Sequence, residues 1–433
     1  MSSADADRNA DPVTASRLRI GGALLNDRVS RNGFALLVNT GVSGVLGFAY
    51  WLIAAHLFST SAVGRAGALV SATTLFAVLG QLNLSGALMR FLPTAGPRSR
   101  RLVVLTYATS AGVSALIAAA SIGIVNVFAP HGSLALGMGP AAVVVVAAAA
   151  TALFNIQDSA LIGLRKAMWV PLENGGFGIA KIGLLFVVAP IGSAFALFAA
   201  WMIPLALTIP LITLLLFRVF LPPAADLELP QLSVERRRSF IRFVVGDATG
   251  GLFNQAWIYL LPVIVTATLG SDTNALYYVS FLFSSTVDQV GVNFASVLTV
   301  EGAHSLEDTA ALVKTAIRRV FSLVVPLVVC LMVLAPWLLR AFGTQYEAAI
   351  EVFRILLIMC VPRALVTIYF GLNRILQRTH RSAYLQVTIS VLSIAAGAFL
   401  AHPYGLRGIA LALLGIQVSA SLVAIWGLRA VRV

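Results

Sequence analysis

Charge is scarce in this chain. Only 11% of its 433 residues are Asp, Glu, Lys or Arg, against about 25% in an ordinary soluble protein. A water-soluble fold has no way to hide so much apolar surface behind so few charges. The 59% hydrophobic content and mean hydropathy of +0.92 agree. Cysteine is nearly missing too. Cys330 and Cys360 both lie inside apolar runs, so neither a disulfide framework nor a thiolate metal site is expected. The five histidines, at 56, 131, 304, 380 and 402, are scattered near expected loops, and no metal ligand set is read from them. There is no Gly-rich phosphate loop, which argues against an ATPase built into this chain. No catalytic residue, enzyme activity or cofactor is expected. The first thirty residues are polar and lack the apolar core of a signal peptide.

What is present is a series of long hydrophobic runs. Twelve are long enough to cross a bilayer, which takes about 20 residues. They fall near 33–58, 63–91, 102–129, 138–164, 169–190, 195–220, 241–268, 275–302, 311–335, 348–375, 382–401 and 406–428. The fold expected is all-α: a polytopic membrane protein of twelve transmembrane helices. One long polar connection, LPPAADLELPQLSVERRRS, divides the runs six and six. The chain therefore reads as a tail over 1–32, a first lobe over 33–220, a linker over 221–240 and a second lobe over 241–433.

The net charge of +13 would suggest a nucleic-acid partner in a soluble protein. Here 24 of the 30 basic residues fall on every second connection, beginning with the N-terminal tail. The positive-inside rule makes that side cytoplasmic, with both termini on it and no role for nucleic acid. Six spans per half give the halves the same orientation, so any internal repeat must be parallel, about an axis along the membrane normal. A faint one can be read. Arg100-Arg101-Leu102-Val103 is answered by Arg318-Arg319-Val320-Phe321, and Ile162-Gly163-Leu164-Arg165 by Phe370-Gly371-Leu372-Asn373-Arg374. The segment from Ser305 to Arg319 reads as a short interfacial helix running into span nine.

Ionisable residues inside spans need a reason, because a charge at mid-helix costs about 2.5–3.5 kcal/mol on insertion scales. Lys181, Asp288 and Arg363 lie near the middles of spans five, eight and ten. Asp158 and Asp247 lie about two turns inside the ends of spans four and seven, and Arg65 and Arg354 lie toward the outer side. Two readings remain open for them. The charges can line a wet cavity, or they can form buried struts, with Asp288 paired to Arg363 or Lys181. Asp158, Glu173, Arg65 and Arg354 can also reach headgroups or interfacial water.

The run NTGVSGVLGFAYWLIAAHLFSTSAVGRAGALVSA resembles the opening of bacterial polysaccharide and O-antigen flippases, of the multidrug/oligosaccharidyl-lipid/polysaccharide exporter superfamily. The resemblance extends over about Phe34 to Ala430 and includes the six-plus-six layout and the Val63-Gly64 start of span two. It implies a MATE-like, V-shaped transporter with spans one, two, seven and eight around a central cavity, working by alternating access. The implied cargo is a polyprenyl-pyrophosphate-linked oligosaccharide, moved from inner to outer leaflet of the bacterial cytoplasmic membrane for surface polysaccharide assembly. A glycan polymerase or glycosyltransferases would then be its partners. Lys181 and Arg363 are the implied diphosphate ligands, with Arg65 and Arg354 as outer contacts and Asn39 and Asn254 for the sugar. Span one has no arginine, unlike the lipid II flippases, and carries Asn39 where sodium-coupled drug exporters have an acid. Two other functions fit the same residues: a cation-coupled multidrug exporter with Asp158, Asp247 and Asp288 as coupling acids, and a non-transporting scaffold for glycan enzymes.

The span count has a direct test. In a background without Cys330 and Cys360, single cysteines replacing Glu235 and Asp272 should label from opposite sides of the membrane. Equal labelling of both by an impermeant thiol reagent in intact cells would remove the twelve-span parity.

Overall fold

The computed structural model describes residues 28–130, 132, 134–221, 234–304, 309–376 and 378–429. The tail to residue 27, linker residues 222–233 and the start of the expected interfacial helix, 305–308, lie outside the described residues. The described chain is all helical. Its helices are α1 (Arg28–Leu57), α2 (Thr60–Gly80), α3 (Leu84–Phe91), α4 (Ser99–Phe128), α5 (Met138–Gly163), α6 (Trp169–Val188) and α7 (Ala194–Leu215). After the linker come α8 (Val234–Leu269), α9 (Ser271–His304), α10 (Thr309–Phe342), α11 (Ile350–Ile375) and α12 (Thr379–Arg429). In lipid no water can meet the backbone, so helices that satisfy themselves are the natural solution for such runs.

Three junctions differ from a plain reading of the runs. The second run is not one continuous helix. It breaks between α2 and α3, where Leu82 and Asn83 take left-handed φ of 47° and 60°. Asn tolerates that conformation better than most residues. Runs eleven and twelve form one 51-residue stretch with non-helical Gly405 (φ 59°, ψ −156°) inside it. The arms on either side pack together, since Ile389 shares a buried cluster with Ala420 and Ala424. Thr309 onward is continuous with α10, whose Val313, Ala316 and Val320 face the core while Lys314, Arg318 and Arg319 are exposed. Counting the two arms of α12 and the more polar α9, twelve crossings result among the described residues.

Side chains set the ends and bends. Ser59 Oγ accepts from Ala62 N at 3.2 Å to start α2, and Ser193 Oγ accepts from Ala196 N at 3.1 Å to start α7. α7 carries Pro204 and Pro210 and ends in a π-turn over Leu216–Phe220. Gln157 of α5 donates to the Ile209 carbonyl at 2.8 Å and to Thr213 Oγ1 at 2.9 Å along this bent helix. Neighbouring side chains thus stand in for the missing water.

The first half is built on α1 against α6, where Gly175 and Gly178 let Val42 and Leu46 approach closely. The second half is built around Trp257, Leu261, Tyr277, Leu356 and Leu413. The halves meet at the end where Ser59 joins α1 to α2 and Gly270 joins α8 to α9. There α2 lies on α9 so closely that a Cβ at Gly64 would collide with the Ser271 carbonyl. Asn274 Nδ2 donates to the Gly64 carbonyl at 2.7 Å, and a Cβ at Gly67 would come within 3.1 Å of the Tyr278 ring. Phe48 stacks edge-on against Phe283 (5.0 Å) and Phe342 (5.3 Å).

At the opposite end the inner helices part. Tyr50, Trp51 and Ala54 of α1 are buried, but Val45 is 69% exposed and nothing lies within 4 Å of a Cβ built at Gly41, Gly44 or Gly47. Gly251 of α8 and Gln289 of α9 are likewise open. The exposed positions of α1 here mix the small and polar Thr40, Gly41 and Gly44 with the apolar Val38 and Val45, and Asn39 is half-buried beside them. A helix facing only lipid has no need of the polar and small positions.

Gly64→Val should therefore overpack the closed end. Such insertions cost roughly 1–3 kcal/mol, and the thermal unfolding midpoint should fall. A midpoint equal to that of the parent protein would mean that α2 and α9 are not held this close.

Candidate functional site

Among the described residues each half carries one deep cation, and each cation already has a protein environment. In the first half α6 supplies Lys181, which is 4% exposed. Its Nζ sits 3.5 Å from the centre of the Trp201 ring (α7), 4.8 Å from Phe177 and 5.3 Å from Tyr50. Phe177 is one turn before Lys181 on α6, so helical spacing alone puts both on one face. Tyr50 is fixed by donating to the Leu197 carbonyl at 2.7 Å and packs at right angles on Trp201. The result is an aromatic box around an ammonium. A desolvated cation over aromatic faces gains about 2 kcal/mol or more. Among the described residues no carboxylate forms an ion pair with Lys181.

In the second half three helices converge. Asp288 of α9 and Arg363 of α11 approach to 3.0 Å, with side chains 9% and 14% exposed. The Arg363 guanidinium lies 4.8 Å over the Trp257 ring of α8. The contact is a close ion pair rather than a well-aligned hydrogen bond. One turn before Arg363, Cys360 Sγ reaches the Ser284 carbonyl at 3.5 Å.

Lys181 and Arg363 therefore belong to separate sites, one per half. Asp288 is set against Arg363 and not against Lys181. Arg354 is exposed and donates to the Met332 carbonyl of α10 at 3.3 Å. Nine residues at ~100° each place it on the opposite face of α11 from Arg363. Arg65 is half-buried in the second turn of α2, beside Gly64 at the closed end. Asn39 is half-buried on α1 and its Oδ1 is 3.4 Å from Ser43 Oγ. Asn254 is half-buried on α8, three residues before Trp257. Asp158 accepts from Asn174 Nδ2 at 3.3 and 3.2 Å, joining α5 to α6. Glu173 is buried without a hydrogen-bond partner. Asp247 is part of α8, but its side chain lies outside the described residues.

The residues that complete these sites were silent in the sequence. Trp201 and Trp257 are aromatic residues in apolar runs and give no signal of their own. Phe177 could have been found from its spacing to Lys181.

No family model matches the sequence, and no curated protein matches it. Solved structures do. Similar to this chain is an inward-facing conformation of a multidrug resistance MATE family transporter of the MOP superfamily. It has 16% identity and a TM-score of 0.71, over 92% of this chain and 99% of that one. An outward-facing conformation of such a transporter is similar at 17% identity and TM-score 0.60, over 94% and 98%. A MOP superfamily transporter from Pyrococcus furiosus, described as having a binding pocket of reversed polarity, is similar at 16% identity and TM-score 0.63, over 92% and 94%. The fold is thus that of MATE family transporters.

The Asp288–Arg363 pair can be tested as a strut. Arg363→Gln should strand a buried carboxylate and cost about 3–5 kcal/mol, while the neutral pair Asp288→Asn with Arg363→Gln should recover most of it. Thermal unfolding of the two single variants and the double variant measures the coupling. Additive losses would mean that the two groups do not stabilise each other.

Proposed function

We propose that this chain is an alternating-access exporter of small amphipathic molecules, seated in the bacterial cytoplasmic membrane with its open end toward the cytoplasm. The observation that carries the reading is the one-sided closure. α2 is sealed on α9 at the Ser59 end, while α1, α8 and α9 part at the other. Two six-helix halves closed on each other at one end make a geometry that rocking of lobes 33–220 and 241–433 converts into its opposite. The arginine-rich connections support placing the open end inside. Likeness to transporters solved in both inward- and outward-facing states supports the motion.

The aromatic box supports the amphipathic cargo. Tyr50, Phe177 and Trp201 form a cation-binding enclosure, and Lys181 fills it as a tethered occupant. An amphipathic cation would compete with that ammonium for the same ring faces. Asp158 and Asp288 are the acids available for coupling. A second reading, the flippase for a lipid-linked oligosaccharide, is favoured by one observation: Lys181 has no carboxylate counter-charge among the described residues and would suit a diphosphate.

Transport in proteoliposomes separates the two. The parent protein should move a fluorescent amphipathic cation and leave a polyprenyl-diphosphate sugar in place, and Lys181→Gln should take up the cation with several-fold higher apparent affinity. Translocation of the sugar lipid that is lost in Lys181→Gln, with no movement of the cation, would overturn the export reading in favour of the flippase.

A further inference from the structure

The first half carries a groove on its lipid side that transport through the centre does not use. α6 turns one face to α1, where Gly175 and Gly178 meet Val42 and Leu46. Its opposite face shows Leu172 and Val187, 65% and 70% exposed. α7 answers with Leu207 and Leu211, 63% and 66% exposed. Between them lies a cavity of about 610 Å³, within the roughly 300–1,000 Å³ of small-molecule sites. α7 bounds it from Ile212 to Ile203. At ~1.5 Å per residue that is about 14 Å, close to half of the ~30 Å hydrocarbon core of a bilayer.

One group in this apolar groove is out of place. Glu173 lines it, is 4% exposed, and neither carboxylate oxygen has a hydrogen-bond donor. Nearby Asp158 takes the Asn174 amide, so that donor is spent. The depth of Glu173 is informative. Trp169 meets the Phe220 ring at 5.8 Å, and Lys166 Nζ lies 5.3 Å over the same ring. An aromatic with a cation at a helix end marks headgroup level. Glu173 sits one turn further in, about 6 Å.

We propose that this groove binds an aminophospholipid of the surrounding leaflet. Its primary ammonium occupies Glu173, its phosphate lies beside Lys166, and one acyl chain runs along α7. The order of charges fits a zwitterionic headgroup entering from the membrane surface, phosphate partner first and ammonium partner deeper. The donor count selects the amine. A primary ammonium offers three N–H groups to a carboxylate that has none, whereas a choline headgroup offers no donor and a glycerol headgroup no cation.

Native mass spectrometry of the purified full-length chain tests this, with chain-matched phosphatidylethanolamine, phosphatidylcholine and phosphatidylglycerol supplied in equal amounts. Phosphatidylethanolamine should be retained several-fold over the other two. Glu173→Gln should erase that preference. Gly176→Leu adds bulk on the groove face, where a Cβ meets nothing within 4 Å, and should reduce phosphatidylethanolamine retention to the level of the other two. Equal retention of the three lipids by the parent protein would overturn the proposal, as would an unchanged preference in Glu173→Gln. Should Glu173→Gln fail to fold, Gly176→Leu decides: loss of the preference supports the groove, and an unaltered preference overturns it.

Discussion

Asn274 donates to the Gly64 carbonyl across the two halves, and the geometry of the molecule hangs on the approach that makes this bond possible. The Gly64 position has no room for a Cβ, because the backbone at Ser271 occupies it. Any side chain there would hold α2 and α9 apart. Apart, Asn274 would lose its acceptor, and an unpaired buried amide costs about 1–3 kcal/mol. Trp51 would also lose the Tyr278 ring, now 4.8 Å away. The closed end therefore depends on a missing side chain and one hydrogen bond. Away from that end Gly41, Gly44 and Gly47 of α1 and Gly251 of α8 have no close neighbours, although α3 still packs on α8.

The few charges inside the bundle show how it tolerates them. The Asp288–Arg363 pair joins α9 to α11, and Trp257 from α8 covers the guanidinium. Lys181 uses ring faces where Arg363 uses a carboxylate. Asp158 uses an amide. Each arrangement ties helices of one half together and none of the three crosses to the other half. The halves are thus internally braced by polar contacts and joined mainly by apolar and small-residue contacts. Glu173 is the exception, buried yet without a donor.

Much of this architecture could be read from the sequence, because a bilayer imposes a length and a polarity on every crossing. The run boundaries agree with the helices to within a few residues along most of the chain. Where reading failed, the cause was local. Gln81 and Asn83 are polar residues inside an apolar run, but only backbone geometry shows that Leu82 and Asn83 turn left-handed just after α2. The site was less legible. Lys181, Asp288 and Arg363 announced themselves as charges in apolar runs, but nothing in the runs says which helix faces which. That Arg363 and Arg354 point to opposite faces of α11 follows from their spacing once α11 is known to run unbroken through Pro362. That Trp201 covers Lys181 does not follow from spacing at all, since it depends on how α6 meets α7.

The kind of contact at the closed end bears on whether that end can open. Two bodies that alternate must have states within a few kcal/mol of each other. A seam of interlocked large side chains would make separation costly, because every Å² of apolar surface exposed to water costs about 25 cal/mol. Here the closest approach of α2 to α9 is made at Gly64 and Gly67, which bury little apolar area of their own, while Val63, Ala66, Leu69 and Val70 share a buried apolar cluster with Ala275, Val279 and Phe283 of α9. The bond from Asn274 contributes on the order of 1 kcal/mol net, and water entering from the Ser59 end can replace it. Tyr50, Trp51 and Trp201 stack on one another within the first half, but Trp51 also meets Tyr278, and Phe48 meets Phe283 and Phe342, across the seam. Small residues thus set the closest backbone approach, and the aromatic edges beside them supply the apolar area that holds this end closed.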